Sequence, residues 1–390
     1  MKQTNNFPDV TAALAKNRCE AYLIVADSSN ADMYFATKFL AGDPFCYIQT
    51  RNARDMMLIS DMEKGRAQKE SRVEEIVPLS FCDYKKRLKE TVDPGRAYGE
   101  CIGQLLQKEG VRHVAVPRDF PVYTAQVLKE MGFTVNPIQS PLRKLREVKE
   151  KGEVNLIRQV QQANEEAMQA AIETIRTAEI EDNKLFFEDQ PLTASRVRRI
   201  IEHSLLDHDC RAHGTIVACG KGAADPHWHG EGQLLANEPI VIDIFPQHKL
   251  HHYCGDMTRT VTRGETTEQL QQMYDAVLAA QEKALGMLKP GVAANDVHQT
   301  VCDVFEERGY STDAEKGEGY IHSTGHGVGL EVHEAPSIGL REIPLQAGNI
   351  ITIEPGLYYP HIGGIRLEDL VLITEHGYEN LNTFEKEFVV

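Results

Sequence analysis

The order of elements after residue 147 constrains the fold most, because it occurs twice. A long helical pattern over 148–176 places Val154, Ile157, Asn164, Met168, Ala171 and Ile175 at three- and four-residue steps along one face. A shorter helix, ASRVRRIIEHSLLDH (194–208), follows it. Three apolar strands come next: TIVACG (215–220), PIVIDIF (239–245) and YCGDMTRTVT (253–262). The succession then repeats. Its helices are TEQLQQMYDAVLAAQEKALGML (267–288) and ANDVHQTVCDVFEERGY (294–310), and its strands are GVGLEVH (327–333), NIITIEP (349–355) and GIRLEDLVLIT (364–374). Two helix–helix–strand halves predict helices packed on one face of an antiparallel sheet, with a pseudo-twofold axis between the halves. A site would form where such halves meet.

The chain ahead of this duplication reads differently. AYLIVA (21–26), FCYIQT (45–50), DMMLIS (55–60) and HVAVP (113–117) are strand patterns, and GRAYGECIGQLLQKEG (95–110) is a helix closed by Gly110. These predict a small α/β domain over 1–147, with nothing catalytic in it. RKLREVKEKGEV (143–154) is a solvated helix start at the boundary. The fold class is therefore α+β, with a second and larger domain over 148–390. The segment AEIEDNKLFFEDQPLT (178–193) is too long for a tight helix–helix connection and reads as a surface excursion or a substrate rim.

Bulk properties narrow the partners. A formal net charge of −16 argues against nucleic acid or an anionic membrane as the main partner. No apolar run is long enough to span a membrane. The opening MKQTNNFPDVTAALAKNRCEAYLIV lacks a leader pattern. The cysteines at 19, 46, 82, 101, 210, 219, 254 and 302 are scattered, as reduced thiols in a cytoplasm would be.

Chemistry concentrates in VIDIFPQHKLHHYCGDMTRT (241–260). Asp243 closes an apolar strand and Asp256 opens the returning one, at an odd spacing that puts cross-strand partners on one face. Two buried carboxylates on one face repel unless a cation lies between them. His248, His251 and His252 belong to the polar turn and decorate it; they are not ligands in this reading. ITIEPG brings Glu354 to the end of another apolar strand, and GGIRLEDL brings Glu368 into one. HSTGHGVGLEVHE adds His322, His326 and His333. Taken singly, a buried Glu is ordinarily ion-paired and a His in a glycine-rich turn is ordinarily structural. Two Asp, two Glu and one His at strand ends of one domain supply donors for two divalent cations.

The stretches DIF…GDMTRT, HSTGHGVGLEVHE, TIEPGLY and GGIRLED resemble the pita-bread metallopeptidases, the group of methionine aminopeptidase, aminopeptidase P, prolidase and creatinase. The N-terminal domain and LREVKEKGEVNLIRQ are similar to the prolidase, aminopeptidase P and creatinase branch. The resemblance implies metal ligands Asp243, Asp256, His326, Glu354 and Glu368, with Asp256 and Glu368 bridging, and a bridging hydroxide as nucleophile. It implies Glu354 as the proton shuttle, His333 as a contact to the substrate carbonyl, and a further catalytic histidine at His227, with His229 as the weaker match. His322 resembles a position near the metals, where it would meet substrate. Arg366, and less so Arg341, are the cations placed to meet a substrate carboxylate, although an arginine on a strand beside acids is more often simply ion-paired.

Two departures stand out. The turn between the aspartates is two residues longer than is usual in the family, which keeps the parity. Phe245 replaces a glycine common two residues after the first Asp. Creatinase lacks the five ligands, and all five are present here.

The resemblance implies a peptidase with two divalent ions, manganese first, with cobalt, iron or zinc as alternatives. It would cleave the N-terminal Xaa-Pro bond of dipeptides or short peptides. A metal-dependent lyase or hydrolase of a small non-peptide substrate is the alternative. A cytoplasmic homodimer, free of nucleic acid and membrane, is expected.

Overall fold

The computed structural model describes residues 7–212 and 214–390, so the first six residues of the stretch read as leaderless lie outside it. The chain divides into two compact units, one ending at Arg146 and one running from Glu147 to Val390.

The first unit is built on one mixed sheet. Its strands are β1 (Ala21–Ala26), β2 (Phe45–Thr50), β3 (Asp55–Ile59), β4 (Glu75–Pro78), β5 (His113–Pro117) and β6 (Thr134–Ile138). They lie in the order β4-β3-β2-β1-β5-β6. The antiparallel run β1–β2–β3 sits in the middle, and the parallel pairs β1–β5, β5–β6 and β3–β4 flank it. Sequence patterning anticipates the four inner strands but not β4 and β6. Both are half-exposed sheet edges carrying Pro78 or Pro137, where apolar alternation is weak and a missing N–H is tolerated. The helix Pro94–Lys108 starts with Pro in its first turn, and its N-cap Asp93 accepts from the Arg96 amide. It buries Ile102, Leu105 and Leu106 against Leu23, Ile48 and Val114.

In the second unit the helix Lys151–Arg176 opens with a reciprocal capping box between Glu150 and Glu153. All six residues of its expected apolar face are buried. Residues 178–193 form a docked meander of β7 (Glu179–Glu181), β8 (Lys184–Phe187) and β9 (Gln190–Pro191). Its two turns place Asp182, Asn183, Glu188 and Asp189 at positive φ, the geometry of tight hairpins. Leu185 and Leu192 anchor it in the first half's core.

After the helix Ala194–Asp207 come β10 (Cys210–Ala212), β11 (Ile216–Cys219), β12 (Ile240–Ile244), β13 (Pro246–His248) and β14 (Met257–Val261). The second half repeats the plan with the helices Glu268–Gly286 and Ala294–Glu307. Its strands are β15 (Gly325–Gly327), β16 (Glu334–Ile338), β17 (Ile350–Ile353), β18 (Gly356–Tyr359), β19 (Gly363–Arg366), β20 (Asp369–Ile373) and β21 (Tyr378–Asn380). The sheets β11-β12-β14 and β16-β15-β17-β20-β21 are antiparallel throughout. Each half has its own apolar core, Met168, Ile201 and Ile242 in the first, Val277, Val301 and Ile351 in the second.

Two strand expectations are corrected. GVGLEVH is not a strand: β15 ends at Gly327, and the tip leaves the ladder where the Gly329 carbonyl accepts from the Cys254 amide at 2.8 Å. GIRLEDLVLIT is two strands with different partners, β19 on β18 and β20 on β17, broken at Leu367 and Glu368.

Candidate metal centre

Asp243 lies within β12, the middle strand of β11-β12-β14. The register pairs it with Thr258, and Ile244 with Met257. Asp256 immediately precedes β14, so the two aspartates are diagonal neighbours on one face and not direct cross-strand partners. Glu354 follows the last residue of β17, and Glu368 occupies the break between β19 and β20. His326 is the centre of β15. A Cβ on Gly325 would sit 2.0 Å from the Thr352 carbonyl oxygen, and one on Gly327 would sit 2.3 Å from that of Ala335. Only glycine on both sides lets this histidine enter so crowded a sheet.

Ligand atoms of Asp256, His326 and Glu368 all lie within 4.8 Å of one another. His326 Nε2 is 3.2 Å from Glu354 Oε1 and 3.8 Å from Asp256 Oδ2. Thr258 Oγ1 donates to Glu368 Oε2 at 2.7 Å. Thr352 Oγ1 accepts from the His326 amide at 3.0 Å and donates to Glu354 Oε1 at 3.2 Å. Asp243 Oδ2 accepts from Arg366 Nη2 at 2.6 Å, while its Oδ1 is buried with no hydrogen-bond partner among the described residues.

These acids cannot all be charged as they stand. Burial, then the Glu368, Asp243 and Glu354 carboxylates, push Asp256 well above the usual carboxylate range. Burial, then Glu354 and Asp243, do the same to Glu368. Burial would also raise Glu354, but its hydrogen bond to His326 and the positive charges near it bring it down to about 2. His326 is raised in turn by Glu354, against the effect of its own burial. Crowded acids that force one another neutral, together with an unpartnered buried oxygen, fit a place for divalent cations. An oxygen-rich set with one imidazole suits manganese, cobalt, iron or zinc in an open site.

The accessory residues take definite roles. Arg366 Nη1 donates to the Tyr358 hydroxyl oxygen at 3.0 Å, and the same hydroxyl lies 3.0 Å from His322 Nε2. A carbonyl only accepts, so His322 Nδ1 donates to that of Ser323 at 2.8 Å, and in the neutral ring Nε2 then accepts from the Tyr358 hydroxyl. Burial lowers the His322 pKa, in agreement. Arg366 also donates from Nε to Thr258 Oγ1 at 3.2 Å. The guanidinium expected to meet substrate is thus engaged with Asp243, Tyr358 and Thr258, because a buried carboxylate needs the cation more. Arg341 is exposed.

His333 stands edge-on to His326, with ring centroids 4.2 Å apart. It is exposed, as is His227, whose charge bears on both His322 and His333. His229 lies beside Phe245: a Cβ on Gly214 would meet His229 Cε1 at 3.1 Å and Phe245 Cζ at 3.6 Å. His248 is the last residue of β13, paired with Cys210, and not part of the turn as expected; it stacks at 3.7 Å on His251 beyond it, and neither they nor His252 join the Asp256, His326 and Glu368 cluster. Sequence reasoning missed Thr258, Thr352 and Tyr358. They are ordinary strand residues, and only their sheet partners reveal them.

The chain belongs to metallopeptidase family M24, whose match covers residues 155–375. It is 30% identical over 321 residues to an uncharacterized peptidase of Staphylococcus aureus, an alignment covering 80% of this chain and 83% of that one. A Staphylococcus epidermidis uncharacterized peptidase is 39% identical over 198 residues, 48% of this chain; the match spans 54% of that relative's length. Among solved structures, the prolidase from Pyrococcus horikoshii superposes with a TM-score of 0.80 at 27% identity, covering 98% of this chain and 99% of that one. The pita-bread resemblance seen in the motifs agrees with these matches. No described helix is long and apolar enough to cross a membrane.

Proposed function

We propose that the protein is a dinuclear metal-dependent peptidase that removes the N-terminal residue ahead of proline from dipeptides or short peptides. One observation carries the reading: Asp256, His326 and Glu368 converge within 4.8 Å, beside Asp243 and Glu354, in an acid cluster that cannot all ionise without cations. Asp243, Asp256 and Glu368 would hold one ion, and Asp256, His326, Glu354 and Glu368 the other. When bound, the pair supplies an activated water at neutral pH and polarises the scissile carbonyl. Glu354, oriented by Thr352, takes up a proton on its carboxylate and delivers it to the leaving amine. His333 donates to the carbonyl oxygen as it gains charge, with His227 and His322 on the same side. Arg366 holds Asp243 in orientation through its bond to Oδ2. The likeness to a prolidase supports proline selectivity. The 1–147 domain is read as non-catalytic, and the enzyme as a cytoplasmic homodimer using manganese.

The test is hydrolysis of Ala-Pro beside Ala-Pro-Ala by metal-stripped protein, with and without manganese or cobalt. Metal-restored cleavage of the dipeptide alone assigns a dipeptidase, and cleavage of the tripeptide an aminopeptidase. If neither peptide is cut, the Xaa-Pro reading fails, and a non-proline peptide or a small non-peptide substrate takes its place.

A further inference from the structure

The two long helices of the catalytic unit each carry one fully buried glutamine, Gln161 and Gln281. A buried amide in an apolar helix face is costly unless backbone groups satisfy it. Both side chains turn away from their own helices and toward the backbone of the ligand-bearing strands.

Gln161 grips Asp256 at both of its peptide groups. Its Oε1 accepts from the Asp256 amide at 2.9 Å and its Nε2 donates to the Asp256 carbonyl at 3.0 Å. A Cβ on neighbouring Gly255 would lie 2.8 Å from Gln161 Oε1, so glycine gives the amide its seat. Gln281 reaches the backbone of the other half through its NH2 alone, its Oε1 being buried without a hydrogen-bond partner among the described residues. Its Nε2 donates to the Ile353 carbonyl at 2.9 Å and the Leu367 carbonyl at 3.1 Å. Two carbonyl acceptors leave no choice of amide orientation: the NH2 must face both. Those carbonyls belong to the peptide bonds that lead into Glu354 and Glu368. One side chain therefore joins the two backbone segments that present the second half's carboxylates.

We infer that Gln161 and Gln281 are a matched pair of positioning residues for the metal centre. Gln161 sets Asp256, and Gln281 sets the separation of Glu354 and Glu368. This rests on the metal-centre reading above. Side chains that orient ligands typically change metal affinity by about 10–100-fold when removed. A role in folding alone would lower the stability of metal-free and metal-loaded protein equally.

The experiment compares full-length wild type, Gln281→Met, Gln161→Met and Thr174→Val. The last removes a buried hydroxyl that, among the described residues, bonds only to the Ala170 carbonyl of its own helix. Mn2+ is titrated calorimetrically into each metal-stripped protein below its melting temperature, and melting temperatures are taken with and without Mn2+. Both glutamine variants should bind Mn2+ about 10–100-fold more weakly, and their gain in melting temperature on loading should shrink. Thr174→Val should keep the wild-type affinity and gain. Wild-type affinity in either folded glutamine variant overturns the pairing. So does failure of both variants to fold, which would make them stability elements only. A wild type that takes up no Mn2+ and gains no stability would instead bring down the metal-centre reading itself.

Discussion

At the scale of single residues, Asp256 shows function set against stability. It is buried beside Glu368, Asp243 and Glu354, and its carboxyl is held well above the ordinary range by burial first and by those charges next. In the metal-free protein the folded state therefore keeps a proton that the unfolded chain gives up above about pH 3.9. Below that pH both states are protonated and the group is neutral toward stability. Above it the folded state binds more protons than the unfolded one, so stability falls as pH rises toward the raised folded value. Asp256→Asn has nearly the same shape and no proton to lose. The variant should take up no metal pair and turn over no peptide. Stripped of metal, it should nonetheless be more stable than metal-free wild type, by a margin that widens from pH 4 upward. Melting both proteins in chelator across that range checks this. A margin that is flat or shrinks with pH would contradict the assigned shift.

At the scale of elements, the stretches that carry the clustered acids were legible because burial and charge conflict in them: an Asp or Glu inside an apolar run is a local contradiction with few resolutions. The helices were legible from periodicity, and the six-residue face of Lys151–Arg176 is buried as that pattern requires. What could not be read was whatever depends on a partner strand. Residues 364–374 look like one apolar run, yet β19 and β20 pair with different strands and leave Glu368 in the gap. For Arg366 the sequence left open both substrate contact and an ion pair, and nothing local shows that its partner is Asp243, far away in sequence. The end of β13 and the turn after it are the opposite case, rich in metal-binding residue types that do not join the Asp256, His326 and Glu368 cluster. His248 and His251 stack on each other, His248 Nδ1 accepts from the Leu250 amide at 3.1 Å, and His252 has φ +58. These contacts describe a turn closed on itself. Changing His248 and His251 to Gln and His252 to Asn, which tolerates positive φ, should leave metal stoichiometry as in wild type. Inductively coupled plasma analysis of the loaded variant measures it directly. Loss of one equivalent would mean the turn binds metal after all.

At the scale of the whole catalytic unit, the proposed ligand set is divided between the two halves. Asp243 and Asp256 come from the first, and His326, Glu354 and Glu368 from the second, while each half keeps a separate apolar core. Either half alone offers too few of the proposed donors, so on this reading cations bind only when both are folded and docked. By mass action, free metal at about a hundred times the dissociation constant of one site stabilises the folded unit by ~2.7 kcal/mol. For a unit of this size that corresponds to a rise in melting temperature of about 5–10 °C. Because the ligands straddle the halves, the gain belongs to the entire catalytic unit and not to one half of it. Differential scanning calorimetry in chelator and in excess manganese should therefore show the catalytic transition moving upward as one undivided peak. A peak that splits on loading, with one component unmoved, would mean that a single half holds the metal. That result would remove the physical reason for the duplicated architecture to build its site at the seam.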